Sequence, residues 1–317
     1  MYILIILLFN LISLSIKAFD LNYNEHEAFV LHKASSILYK EDRYENCYKN
    51  IPLLRNNIIL LDHVKENDYR SENKFITTIL KNKYDDETLI VLNRQSLNKG
   101  QLFLQLLSYY SPLSNYNEGV MLVNGFQYSH YLITYPGILE KIEKLNSTGQ
   151  YKNIIFGGFS LGGNYAILQA LKYQTEFNIS NDNIKVYTFG SPRTGNYNFA
   201  RYYNSRIPHT YRVTIENDVV VALPNCNWDS YEGVCSTNND TWFNYYYHVG
   251  QEIYYSSNNE SDYIVCKIFE EDKACSKKYF SFFEIIKYGI YKEYIVHYSY
   301  FKNNEEVESD SIHCLSP

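Results

Sequence analysis

Residues 158–162 read Gly-Phe-Ser-Leu-Gly, with a further glycine at 163. A serine hydroxyl between two glycines is the local form of a nucleophile raised on a tight turn. The bare five-residue pattern arises by accident in many chains, and its setting gives it weight. A β-rich run, Ile154-Ile155-Phe156, enters the turn, and a helix-forming run, NYAILQALKYQ, leaves it. In such a strand–turn–helix, Gly158 and Gly162 remove side chains that would collide where the strand reverses. The serine takes a strained backbone that lifts its Oγ above the sheet edge. The helix behind it points free N–H groups at a developing oxyanion. The alternative is a glycine-rich turn that merely packs a helix closely on a sheet.

A serine hydroxyl is a poor nucleophile until a neighbouring base takes its proton, and the base needs an acid to hold its tautomer. In sheet-borne hydrolases the acid and then the histidine follow the serine along the chain. Asp218 stands out, because Thr210–Glu216 reads as a strand and Asn217-Asp218 falls where it should end. Asp182, Asp229 and Asp240 lie in polar loop sequence, where an aspartate is usually a turn former, a role also open to Asp218. The histidines beyond are His248, His297 and His313. The last sits beside Cys314 near the tail, and spacing alone does not choose between His248 and His297.

The elements needed to position these groups are legible around them. Residues 25–40 carry apolar side chains near helical spacing, which predicts an early amphipathic helix. Short apolar runs at 88–93, 119–123, 153–157, 185–189, 210–216 and 262–268 predict strands. Helical patterns fall over 127–146, with Pro136 bending the helix or beginning a second piece, over 161–174, and in TGNYNFARYYN. Strands alternating with helices imply an α/β fold, a mainly parallel central sheet with helices on both faces. No repeat, proline-rich linker or low-complexity block divides the chain, so one domain over 19–317 is expected.

The chain has 317 residues, 45% hydrophobic and 20% charged, which is ordinary for a globular protein and excludes a disordered one. The formal charge of −6, without a Lys/Arg block, gives no means of gripping a nucleic-acid backbone. The 34 tyrosines, with frequent Asn and Ile, read as a coding bias. Residues 2–16 form an uncharged apolar run ending before Lys17-Ala18, too short for a comfortable span and suited to a secretory signal over 1–18. No later run reaches spanning length without a charge.

Six cysteines fit an exported protein: Cys47, Cys226, Cys235, Cys266, Cys275 and Cys314. They allow 15 pairings, which sequence does not decide. The two pairs nine residues apart, 226/235 and 266/275, suggest local staples and leave Cys47 with Cys314. No CxxC occurs and no His lies beside them at ligand spacing, so no metal is expected. Sequons at Asn146, Asn178, Asn239 and Asn259 become usable in a secretory compartment.

With these segments in place, the sequence resembles the class 3, fungal-type lipase family over about residues 25–314. The segments that carry the resemblance are GGFSLGGNYAILQAL, VYTFGSPRTGN, YRVTIENDVVVALP, YYYHVGQEIYY and VHYSYF. The resemblance implies an α/β-hydrolase fold, with the catalytic Asp of the N-D-[IV]-V segment at Asp218. It puts the catalytic His, in the form H-x-x-Y-F, at His297, and makes His248 a non-catalytic position. The family's EDxxC-S segment appears as Glu271–Ser276 and supports the 266–275 disulfide. The oxyanion hole would combine the N–H of Leu161 with that of Ser96, where the family's F-R-G-[ST] becomes Asn93-Arg94-Gln95-Ser96. Phe159 stands where the family mostly has His. A lid would follow the oxyanion residue, carried here by Leu102, Phe103, Leu104, Leu106 and Leu107; an ordinary buried helix is the competing reading.

The function implied is a secreted serine hydrolase of lipid carboxylic esters, triacylglycerol or a related glyceride, needing no cofactor. A phospholipid sn-1 ester and a feruloyl-type ester are the rival substrates. A catalytically silent fold that binds a lipid or partner is the rival of another class.

Overall fold

In the computed structural model, eight strands form one sheet, and each lies beside the strand that precedes it in the chain. They are β1 (Ile58–Asp68), β2 (Asn73–Asn82), β3 (Thr88–Arg94), β4 (Asn153–Phe159), β5 (Ile184–Phe189), β6 (Thr210–Ile215), β7 (Gln251–Tyr255) and β8 (Tyr263–Ile268). The residues described are 20–38, 44–68, 73–94, 113–117, 121–237, 246–257, 262–276, 278–279, 296–297 and 299–301. The proposed signal, Ser96, the segment 102–107, His313, Cys314, Asn239 and Asn259 lie outside them.

Strands β3 to β7 run parallel, while β1, β2 and β8 pair antiparallel at the two edges. Right-handed crossovers that always step in one direction put their helices on one face of a sheet. The helices Gly125–Leu145, Leu161–Phe177 and Tyr197–Arg206 accordingly share one apolar cluster on that face. The opposite face is covered by helix Glu25–Ser36 together with Tyr300 and Phe301. Strands packed on both sides alternate between the two cores. Leu89 and Val91 of β3 face the crossover helices, while Ile90 and Leu92 face the N-terminal helix. Each such buried side chain contributes about 1.5–3 kcal/mol, which is why these strands read as continuous apolar runs.

The helix predicted over 25–40 spans Glu25–Ser36, with its start set by Asn24, whose Oδ1 accepts the N–H of Glu27 at 2.9 Å. A cap of this kind is worth about 1 kcal/mol. Pro136 stands inside a single helix, Gly125–Leu145, rather than beginning a second piece. A small sheet of Leu113–Asn117, Met121–Asn124, Gly195–Asn196 and Tyr246–Tyr247 lies apart from the main one. Among the described residues no helix is long and apolar enough to cross a membrane.

The sequence reading missed the β1–β2 hairpin and strand β7. The second half of β1, DHVKEND, is polar and resembles a surface turn. In β7 the pattern is broken by Glu252, which is fully buried.

Two disulfides join Cys226 to Cys235 and Cys266 to Cys275, the nine-residue pairs. Cys47 is also disulfide-bonded. Closing loops this short removes about 2–3 kcal/mol of unfolded-state entropy per bridge. Replacing Cys266 and Cys275 together by alanine is expected to lower unfolding free energy by that amount in a denaturant titration, with β8 and its neighbours retained.

Candidate active site

The ends of β4, β5 and β6 meet on one side of the sheet, the carboxyl end, where parallel α/β sheets place their sites. Strand β4 stops at Phe159, and Ser160 turns the chain with φ 56° and ψ −130°, outside the usual region for a side-chain-bearing residue. Helix Leu161–Phe177 starts at the next residue. Two absent side chains make the reversal possible. A Cβ on Gly158 would stand 2.3 Å from the carbonyl of Gly162, and one on Gly162 would stand 2.2 Å from the carbonyl oxygen of Asn93. Ser160 is anchored by its own N–H, donated to the carbonyl of Phe189 at 2.8 Å. Its carbonyl accepts the Ser191 hydroxyl at 2.9 Å.

Ser160 occupies the N-cap of its helix but makes no capping bond. The hydroxyl is instead 2.9 Å from Nε2 of His297. The first helical turn also carries no acidic residue, so the positive end of the helix dipole is not offset by a neighbouring carboxylate.

The other ring nitrogen of His297, Nδ1, lies 2.9 Å from Oδ2 of Asp218. Asp218 follows β6 by three residues, beyond Asn217 in the left-handed region at φ 63°. Its carboxylate also accepts the Tyr300 hydroxyl at 2.6 Å and the N–H of Val220 at 3.0 Å. Burial, and the carboxylate beside it, push the Tyr300 phenol well above its ordinary range, so it stays protonated and donates. Ser160, Asp218 and His297 are all nearly sealed from solvent, at 3%, 1% and 1% exposure. With Nδ1 donating to the carboxylate, Nε2 is left as the acceptor that faces the serine hydroxyl.

The structure thus brings Ser160, Asp218 and His297 into one hydrogen-bonded line and leaves His248 outside it. The Nε2 of His248 donates to the carbonyl of Val221 at 2.7 Å. Its backbone N–H donates to Glu271 at 3.0 Å. Burial, followed by the nearby Arg212 cation, holds its imidazole well below the usual range. Asp229 accepts two backbone N–H groups of its own turn, and Asp182 sits in an exposed 3-10 turn.

The protein-family model for Lipase (class 3) matches residues 90–228. A Caenorhabditis elegans lipase is 29% identical over 269 residues, 81% of this chain and 74% of that protein. The Rhizomucor miehei lipase is 29% identical over 185 residues, 57% of this chain and 45% of that lipase. Against solved structures, lipase II from Rhizopus niveus superposes with a TM-score of 0.65 at 20% identity, covering 92% of this chain and 95% of that one. The chain is thus similar to the class 3 lipases in sequence and in fold. It has the α/β-hydrolase fold and is a carboxylic ester hydrolase.

Two features around the enzyme's serine were not read from its sequence. The first ties β3 to the serine's helix. The side chains of Asn93 and Gln169 exchange hydrogen bonds, at 2.7 Å and 2.9 Å, and Asn93 also accepts the Thr77 hydroxyl at 2.8 Å. Asn93 departs from the family's Phe, and a buried polar residue at the end of an apolar strand was the available signal.

The second is a buried ionic cluster behind Asp218. Arg193, in the segment GSPRTGN, is fully buried and forms a two-pronged pair with Glu271, at 2.7 Å and 3.0 Å. It also donates to the carbonyls of Ala222 and Pro224, and its N–H donates to the carbonyl of Leu223 at 2.8 Å. Arg193 therefore holds three successive carbonyls of the turn that leaves Asp218. Beside it, Glu252 gathers Lys278, Ser276 and the Thr214 hydroxyl.

Burial alone would push the Glu271 carboxyl up, but the paired Arg193 guanidinium outweighs it and holds the group far below the usual carboxylate range. A carboxyl depressed on folding adds stability above its unfolded pKa of about 4.5 and loses it as pH falls further. Neutral burial of His248 acts in the same direction below about pH 6.5. Glu271→Gln leaves Arg193 buried without its counter-charge and is expected to cost about 3–5 kcal/mol at neutral pH. The loss should shrink in urea titrations repeated toward pH 3.

Proposed function

We propose that this protein is an exported lipase that cleaves the carboxylic ester of a lipid, with triacylglycerol as the substrate its family resemblance implies. The observation that carries the reading is the continuous line from Ser160 Oγ through both nitrogens of His297 to Asp218. In this reading Ser160 Oγ attacks the ester carbonyl while His297 Nε2 takes its proton. Asp218 keeps Nδ1 protonated and stabilises the imidazolium that forms. The carbonyl oxygen becomes an anion at the start of helix Leu161–Phe177, where the N–H of Leu161 is the first donor and Ser96 supplies the second. Loss of one such donor costs about 3–4 kcal/mol, on the order of 10²–10³ in rate. His297 then returns its proton to the departing alcohol, and water repeats the sequence on the acyl-enzyme to release the fatty acid.

The remaining assignments follow from the same reading. Residues 1–18 act as a secretory signal, and residues 19–317 form one catalytic domain. The disulfides support a route through an oxidising compartment. The apolar segment carrying Leu102, Phe103, Leu104, Leu106 and Leu107 acts as the lid that meets a lipid–water interface. Burial of all three catalytic side chains is consistent with a covered site that must open to admit its ester.

Hydrolysis of a soluble p-nitrophenyl ester tests the chemistry. Ser160→Ala and His297→Ala are each expected to remove activity by on the order of 10⁴ or more, whereas His248→Ala changes kcat by no more than about tenfold. Equal losses at both histidines would assign the base wrongly. The interfacial part is tested separately, with emulsified triolein against dissolved tributyrin. Rates should rise steeply once the substrate forms droplets, and a rate indifferent to the interface would remove the lid from the account.

A further inference from the structure

One face of the His297 imidazole is covered by Phe159. The ring centroids are 4.8 Å apart and the planes lie 28° from parallel. Both side chains are 1% exposed. Tyr300 meets the same imidazole edge-on, at 6.4 Å and 88°, while its hydroxyl bonds Asp218. His32 packs in turn against Phe159 and Tyr300, at 5.6 Å and 5.8 Å. The ring of His297 is thus held by Asp218 at Nδ1, by an aromatic face on one side and by an aromatic edge. Phe159 immediately precedes Ser160, so the strand end that delivers the nucleophile also delivers the surface against which its base lies.

We propose that Phe159 is a positioning residue for proton transfer, holding the His297 ring in line with Ser160 and stabilising the imidazolium that forms there. This rests on the reading of Ser160, Asp218 and His297 as the catalytic triad. When the proton leaves Ser160 Oγ for Nε2, a neutral imidazole becomes a cation in a site closed to water. The face of an aromatic ring carries negative charge density and attracts a cation within about 6 Å, more strongly where solvent is excluded. The balancing charges are the carboxylate of Asp218, which stays ionised, and the oxyanion on the substrate. The titratable groups packed around the ring are Asp218, the Tyr300 phenol and, against Phe159 and Tyr300, His32. None of the three can offer a π face parallel to the imidazole, because the first is a carboxylate, Tyr300 stands edge-on, and His32 contacts the aromatic shell.

The residue type at this position therefore has a chemical consequence. A histidine here would place a second ionisable ring in the same stack and oppose the first proton's arrival. Phenylalanine supplies the attraction without a charge of its own. On this account a non-aromatic residue in place of Phe159 moves the acid limb of the pH–rate profile to lower pH.

The test is the pH dependence of kcat/KM on a soluble ester for Phe159→Leu, Phe159→His and Phe159→Tyr, paired with an NMR titration of the His297 ring in the same variants carrying Ser160→Ala. Phe159→Leu should move the acid limb down by about 0.5–1 pH unit and reduce the plateau by roughly 3- to 10-fold. Phe159→His should move the limb at least as far in the same direction. Phe159→Tyr, which keeps the face, should restore both limb and plateau. A limb that stays in place or moves upward in the Leu and His variants overturns the proposal, even if activity or thermal stability falls. So does a Tyr variant that behaves like Leu. The NMR titration reads the same quantity without turnover, so an inactive wild-type protein would count against the triad reading, and the imidazole pKa would still decide the role of Phe159.

Discussion

The chain reverses direction at Ser160 within a space that tolerates no extra atoms, and most of the site depends on that reversal. Hydrogens at Gly158 and Gly162 occupy the places where methyl groups would overlap backbone carbonyls at 2.3 Å and 2.2 Å. The strained backbone of Ser160, at φ 56°, is the result. Strain of this kind costs on the order of 1–3 kcal/mol and persists only where the surroundings over-determine it. Here the surroundings are the N–H bond to Phe189, the Ser191 hydroxyl on the Ser160 carbonyl, and two sheet neighbours fixed in register. Because Ser160 sits at the N-cap without capping, its hydroxyl is committed to His297 rather than to its own helix.

The second requirement is that groups far apart in the chain arrive at the same point. Asp218 is 79 residues from His297, and Ser160 is 137 residues from it. The sheet brings Ser160 and Asp218 together at its carboxyl end through β4 and β6. Tyr300 and Phe301 then seat the histidine segment on the sheet face that helix Glu25–Ser36 also covers. Behind Asp218, the Arg193–Glu271 pair fixes the following turn through its carbonyls. A buried ion pair of this type is a poor source of net stability, because desolvation consumes much of the attraction. Its contribution here is positional: the carbonyls of Ala222, Leu223 and Pro224 that it holds lie within six residues of Asp218, the hydrogen-bond partner of His297.

The parallel strands β3 to β6, the strand–turn–helix at Ser160 and the position of Asp218 just beyond β6 were legible in the sequence because each has a local signature. Continuous apolar runs mark doubly covered strands, and two glycines flank the serine. The choice of His297 over His248 was not local. Both lie among tyrosines, and the segment resemblance separated them where spacing could not. The β1–β2 hairpin escaped because an edge pair needs only one buried face, and Asp62, His63, Lys65 and Glu66 resemble a loop. Strand β7 and the cluster of Arg193, Arg212, Glu252, Glu271 and Lys278 escaped for a related reason. Charged residues read one at a time predict solvent, and only the fold reveals that these three cations and two carboxylates are buried together in ion pairs.

The central claim is that the Ser160 hydroxyl is activated by His297. Its most direct measurement is the rate and location of labelling by a fluorophosphonate, read by intact-mass and peptide mass spectrometry. The account predicts a single adduct per chain on the peptide containing Ser160, formed rapidly by the native protein and slowed by orders of magnitude in His297→Ala. An adduct elsewhere, no adduct at all, or labelling of Ser160 at an undiminished rate without His297 would contradict it.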